Sequence, residues 1–177
     1  MQRRRVLIVD GYNVIRNNSR YSGLGPDYEG GAGWNKAREE LINDAAYFAS
    51  SDYEQCTVVF DGAGNPSSDG KTTREAGIQV VFSPSGVSAD SVIEKLAHDA
   101  RERGLEVVVV SSDFTIQSTV FGGGVTRMSS AAFGLSSEQL EQDWHEDAVK
   151  PSNVKNTIAE RIDPDIARKL RDMVKGK

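Results

Sequence analysis

Three short runs of apolar, mostly β-branched residues in this chain each lead into an aspartate. The runs and the aspartates that follow them are 5–9 with Asp10, 57–60 with Asp61, and 106–110 with Asp113. Runs as short and as apolar as these are typical of strands that are buried on both faces of a parallel sheet. We therefore predict that all three aspartates follow the carboxyl ends of buried strands.

The segments between these runs have the periodicity of amphipathic helices. Residues 34–49 repeat apolar side chains on one stripe, and residues 88–103 do the same after Ser88, which suits an N-cap. Gly104 suits the end of the second helix. Strands that alternate with helices predict right-handed crossovers, and hence an α/β fold of three layers, α/β/α, around a central, mostly parallel sheet.

The rest of the chain gives weaker patterns. We predict a short helical turn opening at Val14, strands at 78–82 and 125–128, loops at 17–33 and 62–71, and helices at 115–121 and beyond Ser136. No run approaches the roughly 20 apolar residues of a membrane-spanning helix, and the N-terminus lacks a secretory signal pattern. We expect a cytoplasmic protein without a membrane partner.

The length of 177 residues suits one domain with a sizeable core. We predict one α/β domain over residues 1–135 and a charged, helical C-terminal extension over 136–177. The net charge of −5 argues against a protein that coats nucleic acid through a global positive field, although a local rim of Arg and Lys can still attract phosphates. The one cysteine, Cys56, excludes an intramolecular disulfide, and we expect it to be buried at a strand start.

The aspartates carry the chemistry that the sequence indicates. Asp10, Asp61 and Asp113 should meet at one edge of the sheet, Asp90 lies in the first turn of a predicted helix, and Glu94 follows on the same face. Carboxylates crowded in this way repel one another, so their assembly is most easily explained by a bound cation. Oxygen ligands alone favour Mg²⁺ or Mn²⁺ over zinc. Taken singly, each aspartate can also be explained as a turn residue, a helix cap or a partner of the helix dipole.

Polar and basic side chains near these aspartates are candidates for substrate binding. Asn13 can bind a phosphate oxygen or a metal-bound water, or it can cap a helix that starts at Val14, and Ser112 can donate to a ligand or orient Asp113. Tyr12 and Tyr21 can stack a base or pack in the core. Each basic residue near the motifs is, taken alone, more often a solvated surface charge. The candidate phosphate contacts are Arg16, Arg20, Arg38, Lys71, Arg74, Lys95 and Arg127.

Four segments resemble the YacP-like NYN domain family, which belongs to the wider PIN-like nuclease group. They are 7–15, 58–62, 87–96 and 110–113, in the order that the family shows, and the resemblance runs from Arg5 to about Arg127. It implies a PIN-like fold and metal-dependent RNA cleavage by a site of Asp10, Asn13, Asp61, Asp90 and Asp113. It also implies messenger RNA as substrate and the ribosome as a partner, because bacterial members are associated with both.

The chain departs from the family pattern at one position in the site. Family members often place Glu directly after the helix aspartate, where this chain has Ser91, so a ligand role there is lost or passes to Glu94. The metal set implied is thus Asp10, Asp90 and Asp113, with Glu94 as the added candidate. The segment 22–33 resembles an enlarged Gly-rich loop.

The predicted function is that of a metal-dependent endoribonuclease that leaves 5′-phosphate and 3′-hydroxyl ends. His98 and His145 lie outside the strand-end motifs, which argues against a metal-free mechanism with a histidine pair. The alternatives are a PIN-like domain that binds RNA without cutting it, and an aspartate-based phosphatase or phosphotransferase, which would want a second Asp where this chain has Tyr12. A dinucleotide-binding oxidoreductase is disfavoured because no G-x-G-x-x-G follows the first run.

Overall fold

The computed structural model describes residues 4–22, 32–50, 52–62, 68–113, 125–134, 136 and 139. Six strands and four helices are bounded within these residues. In chain order they are β1 (Arg5–Asp10), α1 (Gly11–Asn17), α2 (Ser19–Ser22), α3 (Ala32–Ala49), β2 (Gln55–Phe60), β3 (Thr72–Glu75), β4 (Ile78–Phe82), α4 (Ala89–Glu102), β5 (Glu106–Val110) and β6 (Val125–Met128). Residues 130–134 are also helical.

The strands form one sheet in the order β3-β4-β2-β1-β5-β6. All neighbouring strands are parallel except β3 and β4, which are antiparallel. This confirms the predicted α/β fold with a mostly parallel central sheet. Because β2, β1 and β5 are neighbours, the residues that follow them emerge side by side at the carboxyl edge.

Two apolar clusters show why the sheet is covered on both faces. On one face, Leu7, Val9 and Val58 pack with Leu41 of α3. On the other face, the alternate residues of the same strands pack with Ile93 of α4. Successive residues of a strand face opposite sides of the sheet, and here both sides are buried. Each side therefore needs a covering layer of helices, which gives the three predicted layers.

Helix α4 forms as its sequence predicts. The Ser88 hydroxyl accepts a hydrogen bond from the backbone N–H of Ser91 and caps the helix start. Its inner face buries Ala89, Ile93, Ala97 and Ala100. Gly104, at φ 72°, turns the chain out of the helix and into β5. The cap matters for the site because it fixes Asp90 in the first turn.

The prediction of a loop over 17–33 is wrong at both described ends of that segment. Helix α2 forms because the Asn18 side chain accepts from the backbone N–H of Arg20 at 3.0 Å, and because Tyr21 is fully buried. Helix α3 begins at Ala32 rather than at Trp34. The predicted helix at 115–121 lies outside the described residues, as does nearly all of the chain beyond Ser136.

Strand β3 is the element that the sequence pattern misses. All four of its residues are polar and exposed, so they carry no period-two apolar signal. It pairs with β4 across a two-residue turn, Ala76-Gly77, in which both residues have positive φ. The segment predicted as the third strand, Ile78–Phe82, is therefore the fourth.

Residue contacts divide the chain into two units, Met1–Leu140 and Glu141–Lys177. The described elements all belong to the first unit, and the second lies outside the described residues. Within the part of the chain that the structure describes, no helix is both long and apolar enough to cross a membrane.

Candidate active site

Asp10 ends β1 and also caps α1. Its Oδ1 accepts a hydrogen bond from the backbone N–H of Asn13 at 3.3 Å, and its Oδ2 accepts from the Ser111 hydroxyl at 3.2 Å. The residue is 7% exposed. The alternative that Asn13 caps the first helix is therefore wrong, because Asp10 does so and the helix begins at Gly11.

The electrostatics of the sheet edge join four carboxylates into what we call the four-aspartate cluster: Asp10, Asp61, Asp90 and Asp113. Burial, and then the negative charges of Asp90 and Asp113, raise the pKa of Asp10 to about 6, against the lowering effect of its hydrogen bonds to Asn13 and Ser111. Desolvation, Asp113 and Asp61 raise the pKa of Asp90. Each carboxylate thus lies within electrostatic reach of another, and the cluster favours either protonation or a cation.

Asn13 presents its side chain in one orientation only. The amide oxygen accepts from the backbone N–H of Ser112 at 2.7 Å and from the Ser130 hydroxyl at 3.2 Å. A backbone N–H can only donate, so the oxygen must face Ser112 and the NH₂ group must face the other way. Among the described residues no acceptor is recorded for that NH₂ group, which leaves it able to donate to a phosphate oxygen.

Two consecutive serines after β5 hold the loop that carries Asp113. The Ser111 hydroxyl donates to Asp10 and accepts from the backbone N–H of Asp113 at 3.1 Å, so it links two members of the cluster. The Ser112 hydroxyl is engaged with Ser130, whose hydroxyl lies 3.0 Å away and whose backbone N–H donates to it at 3.1 Å. Ser112, predicted to bind substrate, therefore holds the loop in this structure.

Asp61 is positioned by the residue that follows it, Gly62, which lies close to Ser83 after β4. The backbone N–H of Gly62 donates to the buried Ser83 hydroxyl at 2.9 Å. A side chain at Gly62 would overlap the Ser83 carbonyl oxygen, so only glycine lets the two segments approach this closely. Asp61 is consequently held beside the carboxyl end of β2.

The donor set suits a hard divalent cation. Among the described residues, no three His, Cys, Asp or Glu side chains converge closely enough to enclose an ion by themselves. Mg²⁺ is commonly held by one or two carboxylates, with water and phosphate oxygens completing its shell. Oxygen-only donors around a buried carboxylate of raised pKa match that type of site. Glu94 is exposed and is not among the charges that raise the pKa of Asp90.

The basic residues predicted to bind substrate have different surroundings. Arg16 lies against the ring of Tyr12 in the first turn of α1. Arg38 lies against the ring of Phe82 at the end of β4 and donates to the Tyr12 hydroxyl. The Nε of Arg127 donates to the Ser111 carbonyl at 3.0 Å, so this side chain stabilises the loop after β5 that carries Asp113. Lys95 is exposed on α4.

Tyr21 packs in the core, which is the second of its two predicted roles, and Arg20 is paired within the protein. Arg20 forms a two-pronged pair with the buried Asp44, at 2.6 and 2.9 Å. The Tyr21 hydroxyl donates to the same carboxylate at 2.6 Å, and its ring is fully buried. The fully buried ring of Tyr21 cannot stack a base in this structure.

His98 takes no part in the cluster. It is exposed and lies eight residues after Asp90 on α4, roughly 12 Å along the helix. Its Nδ1 is 3.6 Å from a carboxylate oxygen of Asp99. His145 lies outside the described residues.

Ser130 is the residue of the site that the sequence analysis overlooked. It is completely buried, contacts both Asn13 and Ser112, and receives a hydrogen bond at its carbonyl from the Asn18 side chain at 3.0 Å. A lone serine just after a weak strand has no periodicity that would single it out. Its position following β6, the edge neighbour of β5, is the only available signal.

Comparisons with known proteins give relatives of matching length. The YacP-like NYN domain matches residues 7–175. "Uncharacterized protein YacP" of Bacillus subtilis (strain 168) is 30% identical over 137 residues, 77% of either chain. The crystal structure of Rae1 (YacP) from Bacillus subtilis superposes with a TM-score of 0.66 at 25% identity and covers 97% of this chain and 95% of that one. A mutant of the same protein gives 0.65 at 23%, over 95% and 98%. This chain belongs to the YacP-like NYN domain family.

Proposed function

We propose that the chain is a metal-dependent endoribonuclease whose active site is the four-aspartate cluster. The observation that carries the proposal is the grouping of four carboxylates at the carboxyl edge of the sheet, among which Asp10 is buried and has a raised pKa. Such a group disfavours its own charge unless a cation compensates it. Membership of a PIN-like nuclease family supports RNA as the substrate.

We propose that Asp10, Asp90 and Asp113 would hold the cation together with water molecules, because no three carboxylates of the described residues enclose an ion by themselves. Asp61 would be a neighbouring negative charge. A divalent ion, Mg²⁺ or Mn²⁺, would supply charge neutralisation for the phosphodiester and acidify the attacking water. The Ser111 hydroxyl links the carboxylate of Asp10 to the backbone of Asp113 through its two hydrogen bonds. Asn13 offers its NH₂ group to a non-bridging phosphate oxygen, where negative charge develops.

Hydrolysis of this kind adds water to the phosphorus and releases the 3′-oxygen of the neighbouring nucleotide. The products are a 5′-phosphate and a 3′-hydroxyl end. We propose messenger RNA as the substrate, the ribosome as a partner and the cytoplasm as the compartment, on the grounds of family membership alone.

The proposal is tested by incubating the purified full chain with RNA in Mg²⁺, Mn²⁺ or EDTA, with and without ribosomes. Asp10→Asn and Asp90→Asn should each lower the cleavage rate by at least a hundredfold. Asp99→Asn is the matched control, because Asp99 is an exposed carboxylate on the same helix as Asp90 but outside the cluster.

Cleavage that persists in EDTA, or in both cluster variants, would contradict the proposal. Binding without cleavage in every condition, ribosomes included, would instead favour the alternative of a PIN-like domain that binds RNA but does not cut it.

A further inference from the structure

A group of aromatic and basic side chains lies beside the four-aspartate cluster. We call it the arginine–aromatic platform, and it consists of Tyr12, Trp34, Phe82, Arg16 and Arg38. Tyr12 is two residues after Asp10, in the first turn of α1, and Phe82 is the last residue of β4. The platform therefore extends along the carboxyl edge of the sheet from the cluster toward β4.

The rings of the platform form a continuous apolar surface. Tyr12 meets Trp34 edge to face, with centroids 4.9 Å apart, and contacts Phe60 at 5.1 Å. Phe60 in turn stacks on Phe82 at 5.2 Å. Phe60 is fully buried, whereas Tyr12, Trp34 and Phe82 each remain partly exposed. The buried ring thus supports three rings that reach solvent.

Both arginines lie on these rings. The Arg16 guanidinium is 5.8 Å from the Tyr12 centroid and 5.7 Å from that of Trp34. The Arg38 guanidinium is 5.6 Å from the Phe82 centroid, and its Nη1 donates to the Tyr12 hydroxyl at 2.7 Å. Arg38 also donates to the Asn35 side chain. These contacts hold each cation in a defined position at the surface.

Among the described residues neither Arg16 nor Arg38 forms an ion pair, in contrast to Arg20, which is paired with Asp44. In a chain of net charge −5, these two guanidinium groups place positive charge beside the four-aspartate cluster, where a phosphate can meet it. Guanidinium groups and exposed rings together match the phosphate and the base of a nucleotide.

We propose that the arginine–aromatic platform is a nucleotide-binding subsite that stacks one unpaired base next to the scissile phosphate and so determines which phosphodiester is cut. The proposal rests on the proposed nuclease function. Trp34 and Tyr12 provide the stacking surface, and Arg16 and Arg38 contact the flanking phosphates. A base inside a duplex hides its faces in the stack, so the subsite accepts only a base that is splayed out.

Binding is measured without cleavage, in EDTA, with a fluorescence titration. The chain has two tryptophans, so Trp144→Phe leaves Trp34 as the only reporter. A single-stranded oligoribonucleotide should quench this signal, and a blunt duplex of the same sequence should bind at least several-fold more weakly. Trp34→Leu, monitored by a labelled RNA, and Arg16→Ala should each weaken single-strand binding about tenfold.

Two controls match these variants. Tyr47→Leu removes an exposed aromatic ring thirteen residues after Trp34 on α3, roughly 20 Å away along the helix. Arg103→Ala removes an exposed cation at the C-terminal end of α4. Both should bind RNA as the unaltered chain does. Because Arg16 is exposed, its variant stays informative even where Trp34→Leu lowers stability.

The cut positions provide a second readout. With Mg²⁺ or Mn²⁺, Trp34→Leu and Arg16→Ala should redistribute the cleavage sites on a defined RNA, whereas the controls should reproduce the original pattern. Unchanged binding and an unchanged pattern in both platform variants would overturn the subsite and leave the nuclease intact. Platform-dependent binding without any cleavage would overturn the nuclease and leave the subsite as one for RNA binding.

Discussion

The backbone N–H of Ser112 donates to the side-chain oxygen of Asn13 at 2.7 Å, across ninety-nine positions of sequence. Ser130 adds a second donor from a further segment. The orientation of one amide in the first turn of α1 is therefore set by the loop after β5 and by the turn after β6. The orientation of the Asn13 side chain thus depends on tertiary contacts and not on its neighbours in the sequence.

Ser130→Ala tests that relationship. The substitution removes one of the two donors to Asn13 and the hydroxyl partner of Ser112, so we expect kcat to fall about tenfold with little change in KM. The lost hydrogen bonds should cost about 1–2 kcal/mol in the free energy of unfolding. Steady-state kinetics and urea denaturation measure the two effects.

Ser129→Ala is the matched control. The Ser129 hydroxyl accepts from the backbone N–H of Ala132 at 3.1 Å, so its loss costs stability without reaching Asn13. If the two variants have the same kcat, the positioning role of Ser130 is excluded.

Asp10→Asn should make the metal-free protein more stable at neutral pH. The pKa of Asp10 is raised to about 6 in the folded chain, so the native state binds more protons than the unfolded chain as the pH rises from 4 to 6. The free energy of unfolding therefore falls as the pH rises through this range. A pKa shift of this size corresponds to as much as about 3 kcal/mol. The uncharged amide removes this loss, and Ser111 can still accept from it.

Chemical denaturation in EDTA at pH 4, 6 and 8 measures this effect. The variant should gain most at pH 8 and should show a flatter pH profile than the unaltered chain. A variant that is no more stable at pH 8 would show that burial does not raise the free energy of the ionised carboxylate.

Mg²⁺ or Mn²⁺ should stabilise the unaltered chain. A ligand at a hundred times its Kd adds about 2.7 kcal/mol, which for a chain of this size corresponds to a rise in Tm of about 5–10 °C. Asp10→Asn and Asp90→Asn should lose most of this rise. Glu94→Gln should keep it, since Glu94 is exposed and does not act on Asp90. An equal loss in Glu94→Gln would make Glu94 a ligand.

The turn between β3 and β4 contains a strained residue. Ala76 has φ 48°, a left-handed conformation that costs an L-residue with a Cβ roughly 1 kcal/mol. Asn tolerates this conformation and precedes Gly in the most favoured hairpin turns. Ala76→Asn should therefore raise the free energy of unfolding by about 0.5–1 kcal/mol, without changing RNA cleavage.

Differential scanning calorimetry checks this prediction, with Ala76→Val as the opposite control. A β-branched residue tolerates positive φ least, so the valine variant should be less stable. Equal Tm values for the two variants would contradict the assignment of strain to this turn.

The strands that carry the cluster could be predicted because they are buried on both faces. Both faces of these strands are buried, as Val58, Val59 and Val109 illustrate. Each run is therefore apolar throughout, and the aspartate at its end is easily recognised. The same reasoning predicted α4 and its cap, Ser88. The apolar runs and the helix cap depend on residues that are close in the sequence, so the sequence pattern predicts them correctly.

Other features depend on contacts that no local pattern contains. Strand β3 is polar and exists because β4 offers it an edge. Helix α2 depends on Asn18 and on the pairing of Arg20 with Asp44, twenty-four residues away. Asn13 and Ser130 meet only after β5 and β6 have paired with β1. Sequence reasoning therefore found the charges of the site but not the hydrogen bonds that orient its neutral members.

The central place of β1 between β2 and β5 has a consequence for how the protein can be inactivated. A strand with a hydrogen-bonded neighbour on each side opens only when the whole sheet opens, so its amide protons should be among the slowest to exchange. Asp10 is the last residue of this strand. Fraying of an edge strand or of a surface helix leaves Asp10 in place, so Asp10 should keep its position until the chain unfolds globally.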